Sequence, residues 1–190
     1  LSPGTKKMDN ERKLVPGLPP GFEDRWNKKL LLKKKLLKAI EESFIKFGAE
    51  ALETPSFEIS ENIGSFLAED EANPMSDVFS FQDGDKNITL RYDLSSPLAR
   101  FVAQNNQELP SIFKRYQIQN VFRNEKAGNG RYREFLQADF DIVGNVNPAQ
   151  SNAELCNLIS STLLDCGLSK DQFTINVSNR KVVQGLIDDL

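Results

Sequence analysis

Histidine is missing altogether: none of the 190 residues is one. That removes the commonest metal ligand and general base. Any chemistry must rest on arginines, carboxylates, amides and hydroxyls, with no protein-held metal expected. Cysteine is scarce. Cys156 and Cys166 fall in one predicted helix, roughly 15 Å apart along its axis. That is too far for a disulfide, so two reduced core thiols in a reducing compartment are expected. No apolar run reaches the ~18 residues of a membrane helix. No charged-then-apolar leader opens the chain. A cytoplasmic protein without a membrane partner is the expectation. Neither G-x-G-x-x-G nor G-x-x-x-x-G-K-[ST] occurs, so a nucleotide would be met by side chains on a sheet and not by a helix N-terminus. Neither sign of charge dominates, with 24 Lys+Arg, 27 Asp+Glu and a formal net charge of -3. Contact with RNA would come from local patches.

What is present suits one globular domain with a real core. Hydrophobic residues make up 39% and charged residues 27%, which excludes a disordered chain. Leu1 to Pro20 is polar and proline-marked and reads as an extended or mobile lead-in. From Phe22 to Phe47 apolar residues recur at helical spacing, and Gly48 sits where a helix stops. Lys33 to Lys35 on that helix read as a solvated face before they read as an RNA contact. Glu53 to Phe57 reads as a short strand, and Gly64 to Ala68 as a short helical stretch. Val78–Phe81 and Ile88–Tyr92 form a hairpin around Asp83-Gly84. Ser95 is a candidate N-cap of a helix through about Ala103, with Pro97 in its first turn. Phe113–Asn124 and Tyr132–Val143 are strands. Asn147 caps a helix with Pro148 at its first position, ending before Gly167. Phe173–Val177 is a strand and Asn179–Leu190 a helix. The order is α+β and does not alternate as a parallel sheet would.

The informative stretch is Phe122 to Gly144, FRNEKAGNGRYREFLQADFDIVG. A strand carrying Arg123 enters a loop with Gly128 and Gly130. A strand carrying Arg131, Arg133, Gln137, Asp139 and Asp141 leaves it. Guanidinium forks match phosphate oxygens two at a time, while carboxylates and an amide suit an ammonium or an imidazole N–H. Together they suit a ligand pair with one polyanionic and one cationic end, such as a nucleoside triphosphate beside an amino acid. Each residue also has a plainer reading. Arg123 can be a strand ion pair with Glu125, and Asp93 can be a cap. The glycines can be turn residues, and Lys126, Arg131 and Arg133 an ordinary basic loop. The face bearing Gln137, Asp139 and Asp141 can be a solvated one. A polar face on a central strand, however, is costly unless it binds something.

This stretch resembles motif 2 of the class II aminoacyl-tRNA synthetases, and of the histidyl-tRNA synthetases in particular. Phe122, Arg123 and Glu125 match its aromatic-Arg-x-Glu opening. Gly130 to Phe135 match the loop end, and Gln137 and Asp141 match the Gln and the acid four residues on. Thr89 to Arg100, TLRYDLSSPLAR, is similar to a second block, with Asp93 at its carboxylate and Ser95 where most members have Thr. Gly48 to Glu58 is similar to motif 1, with Pro55 at its fixed proline. The likeness runs from about Gly21 to about Gly185.

The resemblance implies a class II catalytic fold, an antiparallel sheet flanked by helices. It implies residues 21–190 as its N-terminal part, with motif 3 and the anticodon-binding domain absent. It implies ATP-dependent activation of histidine, with Mg²⁺, and ligation to tRNA(His) by a homodimer formed through the motif 1 region. Arg123 would neutralise the α-phosphate. Glu125 would serve ATP or its Mg²⁺ surroundings, Arg131 the distal phosphates, and Phe135 the adenine. Asp93, Ser95 and Gln137 would hold the ammonium of histidine, and Asp141 its imidazole. The alternative the family offers is a non-catalytic paralogue, the regulatory subunit of ATP phosphoribosyltransferase.

Overall fold

The computed structural model describes residues 15–63 and 77–188. The stretch expected to be helical at Gly64–Ala68 lies outside them, as do the first fourteen residues of the lead-in. Two three-stranded sheets carry the architecture. In one, β1 (Glu50–Ala51) runs parallel to β5 (Ile112–Phe122), which pairs antiparallel with β6 (Glu134–Gly144). In the other, β4 (Lys86–Leu90) lies antiparallel between β2 (Phe57–Ile59) and β3 (Ser80–Asp83). Among the described residues β6 has no strand on its outer edge. Helices α1 (Asn27–Lys46), α2 (Ser60–Ile63), α3 (Ser95–Asn105), α4 (Pro148–Asp165) and α5 (Arg180–Asp188) complete the order.

The core forms where α1 and α4 cover one face of the β5–β6 ribbon. Phe44, Ala49, Tyr116 and Leu158 are buried together, with Ile40, Phe47, Ile118, Phe140 and Leu155 packed around them. Ser43 and Thr162 share a 2.7 Å hydroxyl hydrogen bond between the helices.

Helix α1 starts later than its apolar spacing predicts, at Asn27 instead of Phe22. Asn27 has φ +54, which breaks the helical path, and Trp26 before it is 77% exposed. Phe22 leaves the helix to pack edge-on against Phe79. The stop is as expected: Gly48, at φ +78, donates its N–H to the Ile45 carbonyl.

Of the strand expected at Glu53–Phe57 only Phe57 lies in a strand, because β1 ends at Ala51 and β2 begins at Phe57. Pro55 cannot donate to a ladder, and here the chain crosses from one sheet to the other. Side chains satisfy its backbone instead. Arg91 donates to the carbonyls of Thr54, Pro55 and Asn120 and to Gln119, which makes this buried guanidinium the joint between the sheets. Phe173–Val177 forms no ladder, since no described strand lies alongside it. The Asn147 cap is present, accepting from the N–H of Ala149 and Gln150. Both cysteines are free thiols. No described helix is long and apolar enough to cross a membrane.

Candidate active site

The β5–β6 register is symmetric about Gly128, with Phe122 opposite Glu134, Arg115 opposite Asp141 and Ile112 opposite Gly144. Alternation sends odd-numbered residues to the front face. Arg115, Gln117 and Gln119 of β5 therefore stand beside Phe135, Gln137, Asp139 and Asp141 of β6. Arg123 continues the series just past the end of β5.

At the loop end, the Arg123 guanidinium lies over two rings, 4.5 Å from the centroid of Tyr92 and 5.0 Å from that of Phe135. Its Nε also approaches the Tyr92 carbonyl at 3.4 Å. The ion pair between Arg123 and Glu125 considered from the sequence does not form. Glu125 accepts instead from Arg131 across the loop and from the Tyr92 hydroxyl at 3.1 Å. Gly128 and Arg131 close the loop with two backbone bonds. Arg123, Glu125, Gly130, Arg131, Tyr132 and Phe135 line a cleft of about 440 Å³, within the range of small-ligand sites.

The hydrogen bond from Arg131 holds the Glu125 carboxyl below its ordinary value near 4.5, against a smaller upward push from burial. A depressed acid stabilises the fold above its unfolded pKa and loses that contribution as pH falls through the folded value. Acidification below about 4.5 is therefore expected to loosen the loop. In a carboxyl-observed NMR titration, Arg131→Ala should return Glu125 to the ordinary range. A Glu125 midpoint that ignores the substitution would remove Arg131 as the cause.

At the other end, Arg115 is fully buried, donates to the Leu94 carbonyl at 3.1 Å, and meets Asp141 at 2.8 Å. Asp139 and Asp93 add favourable charge around it. Burial pushes the Asp141 carboxyl above its ordinary range, and Arg115 opposes the shift without cancelling it. Gln137 donates to both oxygens of Asp139, at 3.0 and 2.9 Å. Asp93 caps α3 by accepting the Ser96 N–H at 3.0 Å. The sequence points to Ser95 for this cap, but Ser95 is the exposed first residue of the helix. Asp93 precedes the helix by the spacing that reaches a first-turn N–H, so the carboxylate takes the role. Four buried atoms here, Arg115 Nε and Nη1, Gln117 Oε1 and Asp141 Oδ2, have no hydrogen-bond partner among the described residues. Asp141 Oδ2 is close enough to Arg115 for an ion pair without the alignment of a hydrogen bond. Native proteins leave few such atoms.

Sequence reasoning missed Arg91, Tyr92 and Arg115. The hairpin's symmetry about Gly128 could have exposed Arg115 as the partner of Asp141. Arg91 and Tyr92 lie inside the block from Thr89 to Arg100 that resembles the family, but nothing in the sequence assigns either a role.

Residues 21–190 match the family model described as histidyl-tRNA synthetase. The chain belongs to the histidyl-tRNA synthetase family. It is 78% identical over 183 residues to the histidine–tRNA ligase of Pelagibacter ubique, a match that covers 96% of this chain and 39% of that protein. Among solved structures, the histidyl-tRNA synthetase of Nostoc sp. PCC 7120 superposes with a TM-score of 0.77 at 25% identity. That match covers 93% of this chain and 38% of that one. A Bacillus halodurans structure described as an ATP phosphoribosyltransferase regulatory subunit/histidyl-tRNA synthetase gives a TM-score of 0.69 at 25% identity, over 81% of this chain and 39% of that one. The α+β fold expected of a class II synthetase is therefore present. The chain spans about two fifths of the length of the curated relatives it matches.

Proposed function

We propose that these residues form the ATP and histidine half-sites of a histidine–tRNA ligase, within a polypeptide that extends beyond this segment. One observation carries the reading: a single sheet face is cationic at its loop end and bears Gln137, Asp139 and Asp141 toward its other end. Arg123 and Arg131 suit phosphates, and Asp93, Gln137 and Asp141 suit an ammonium and an imidazole. In this reading Arg123 stabilises charge on the α-phosphate as the histidine carboxylate attacks, and pyrophosphate leaves. A hydroxyl at the 3′ end of tRNA(His) then attacks the acyl carbon of histidyl-adenylate, taking the histidyl group as AMP leaves. Such chemistry needs positioning and charge stabilisation and no protein nucleophile. Three buried atoms without a partner among the described residues, Arg115 Nε and Nη1 and Gln117 Oε1, favour a polar ligand near Asp141.

Mg²⁺ would arrive with the nucleotide. Among the described residues no group of three or more His, Cys, Asp or Glu stands ready to hold a metal, and Mg²⁺ is commonly held by one or two carboxylates plus substrate phosphates. Glu125 is the carboxylate at that end.

The deciding experiment is histidine-dependent ATP–pyrophosphate exchange by the full-length protein. Exchange supports the ligase. Histidine binding without exchange would support the regulatory-subunit alternative instead.

A homodimer in the cytoplasm completes the reading. Phe57 and Ile59, just after Pro55, and Phe81 across the sheet are exposed, and Phe57 and Phe81 stack edge to face. Exposed apolar groups of this kind mark interfaces. Sedimentation of the full-length protein at micromolar concentration should show a dimer. A monomer alone would remove the motif 1 interface.

A further inference from the structure

The lead-in ends in a turn that lies across the base of the loop. Phe22 N–H donates to the Pro19 carbonyl, and the Gly21 carbonyl accepts the Arg133 N–H at 2.8 Å. Arg133 returns the contact to the site by two routes. Its carbonyl accepts the Arg123 N–H at 2.8 Å. Its guanidinium donates to Asn124, the residue between Arg123 and Glu125, while lying 4.5 Å from the centroid of Phe79. Phe22 packs against that same ring. Arg133 does not line the cleft.

We propose that the Pro19–Phe22 turn is a strap that sets the position of Arg123 and Glu125 through Arg133, with Gly21 as the positioning residue. This rests on the nucleotide-site reading above. Gly21 has φ +82, where a side chain is strained. A Cβ there would stand 2.6 Å from Arg133 Cγ and 2.9 Å from Cδ. These are stem atoms, and the head group is held by Phe79 and Asn124, so the stem cannot swing aside without releasing one of them. Contact so close requires hydrogen at this position. Misplacement by about 1 Å of groups that orient a reaction can cost on the order of 100-fold.

The test is exchange kinetics of full-length Gly21→Ala and Arg133→Lys, with Gly17→Ala as control. A Cβ at Gly17 would meet nothing within 4 Å. Arg133→Lys keeps the charge over Phe79 and loses the guanidinium nitrogen that donates to Asn124, which covers the case of a poorly folded Gly21→Ala. Both variants should raise the KM for ATP roughly 10-fold or more, with the histidine KM within about twofold and the control unchanged. An unchanged ATP KM in both variants overturns the strap. So do equal losses for both substrates alongside a lowered melting temperature, because that is the signature of packing alone. Arg123→Ala separates the two ideas. If it is slow while Gly21→Ala and Arg133→Lys are normal, the strap alone fails. If it exchanges at the parental rate, the nucleotide-site reading fails and takes the strap with it.

Discussion

Arg123→Ala in the full-length protein is expected to slow histidine-dependent ATP–pyrophosphate exchange by about 10²–10³-fold, with the fold intact. Removing one preorganised donor to a developing charge typically has that cost. The side chain stands over the rings of Tyr92 and Phe135 on the ribbon's front face, away from the cluster of Phe44, Tyr116 and Leu158. Its loss should therefore leave the core packing in place. The local cost is two cation–π contacts, each worth about 0.5–1 kcal/mol where exposed. Exchange at the parental rate would mean that Arg123 does not meet the α-phosphate. This 190-residue segment, about two fifths of the length of the relatives it matches, is expected to activate histidine poorly alone, because the family resemblance implies a further phosphate-binding arginine besides Arg123 and Arg131.

The second large effect concerns Asp141. Losing a charged acceptor facing an imidazole is expected to weaken histidine use by about 1.5–3 kcal/mol, a rise of roughly 10- to 150-fold in its KM, with ATP use little changed. The structure adds a consequence that residue type alone does not suggest. Asp141 is also the counter-charge of Arg115, a guanidinium with 0% exposure. Breaking a buried pair by removing one partner costs about 3–5 kcal/mol, and the half-buried setting of Asp141 places Asp141→Asn toward the lower figure. The variant should show a lowered melting temperature together with a selective histidine defect. A melting shift with an unchanged histidine KM would reduce Asp141 to the counter-ion of Arg115.

The ribbon is the most legible part of the chain. Its strands are long, its loop is marked by Gly128 and Gly130, and alternation alone puts Gln137, Asp139 and Asp141 on one face. Caps with short-range chemistry are legible too: Asn147-Pro148 and Gly48 act locally, and local sequence decides them. Where two nearby oxygens compete, as those of Asp93 and Ser95 do for α3, residue type names both as caps and does not choose between them. Roles set by long-range packing are illegible. Arg91 bonds residues from 54 to 120 in the sequence, and Phe22 leaves its helical pattern because Phe79, far along the chain, offers a ring. The resemblance to a family supplies roles, but not the partners through which Arg123, Glu125 and Asp141 are held.

The outer edge of β6 has a practical consequence. Among the described residues no strand pairs with the outer edge of the eleven-residue β6, which lies beside an apolar trough that includes Ile40, Leu155 and Ile159. An open edge of that length is a template for another chain's strand. The segment handled by itself should grow stickier as its concentration rises, and light scattering should reveal this before any loss of helical signal. Dilution series then become part of every measurement on it, and a charged residue at exposed Ala138 is the natural change for keeping it dispersed.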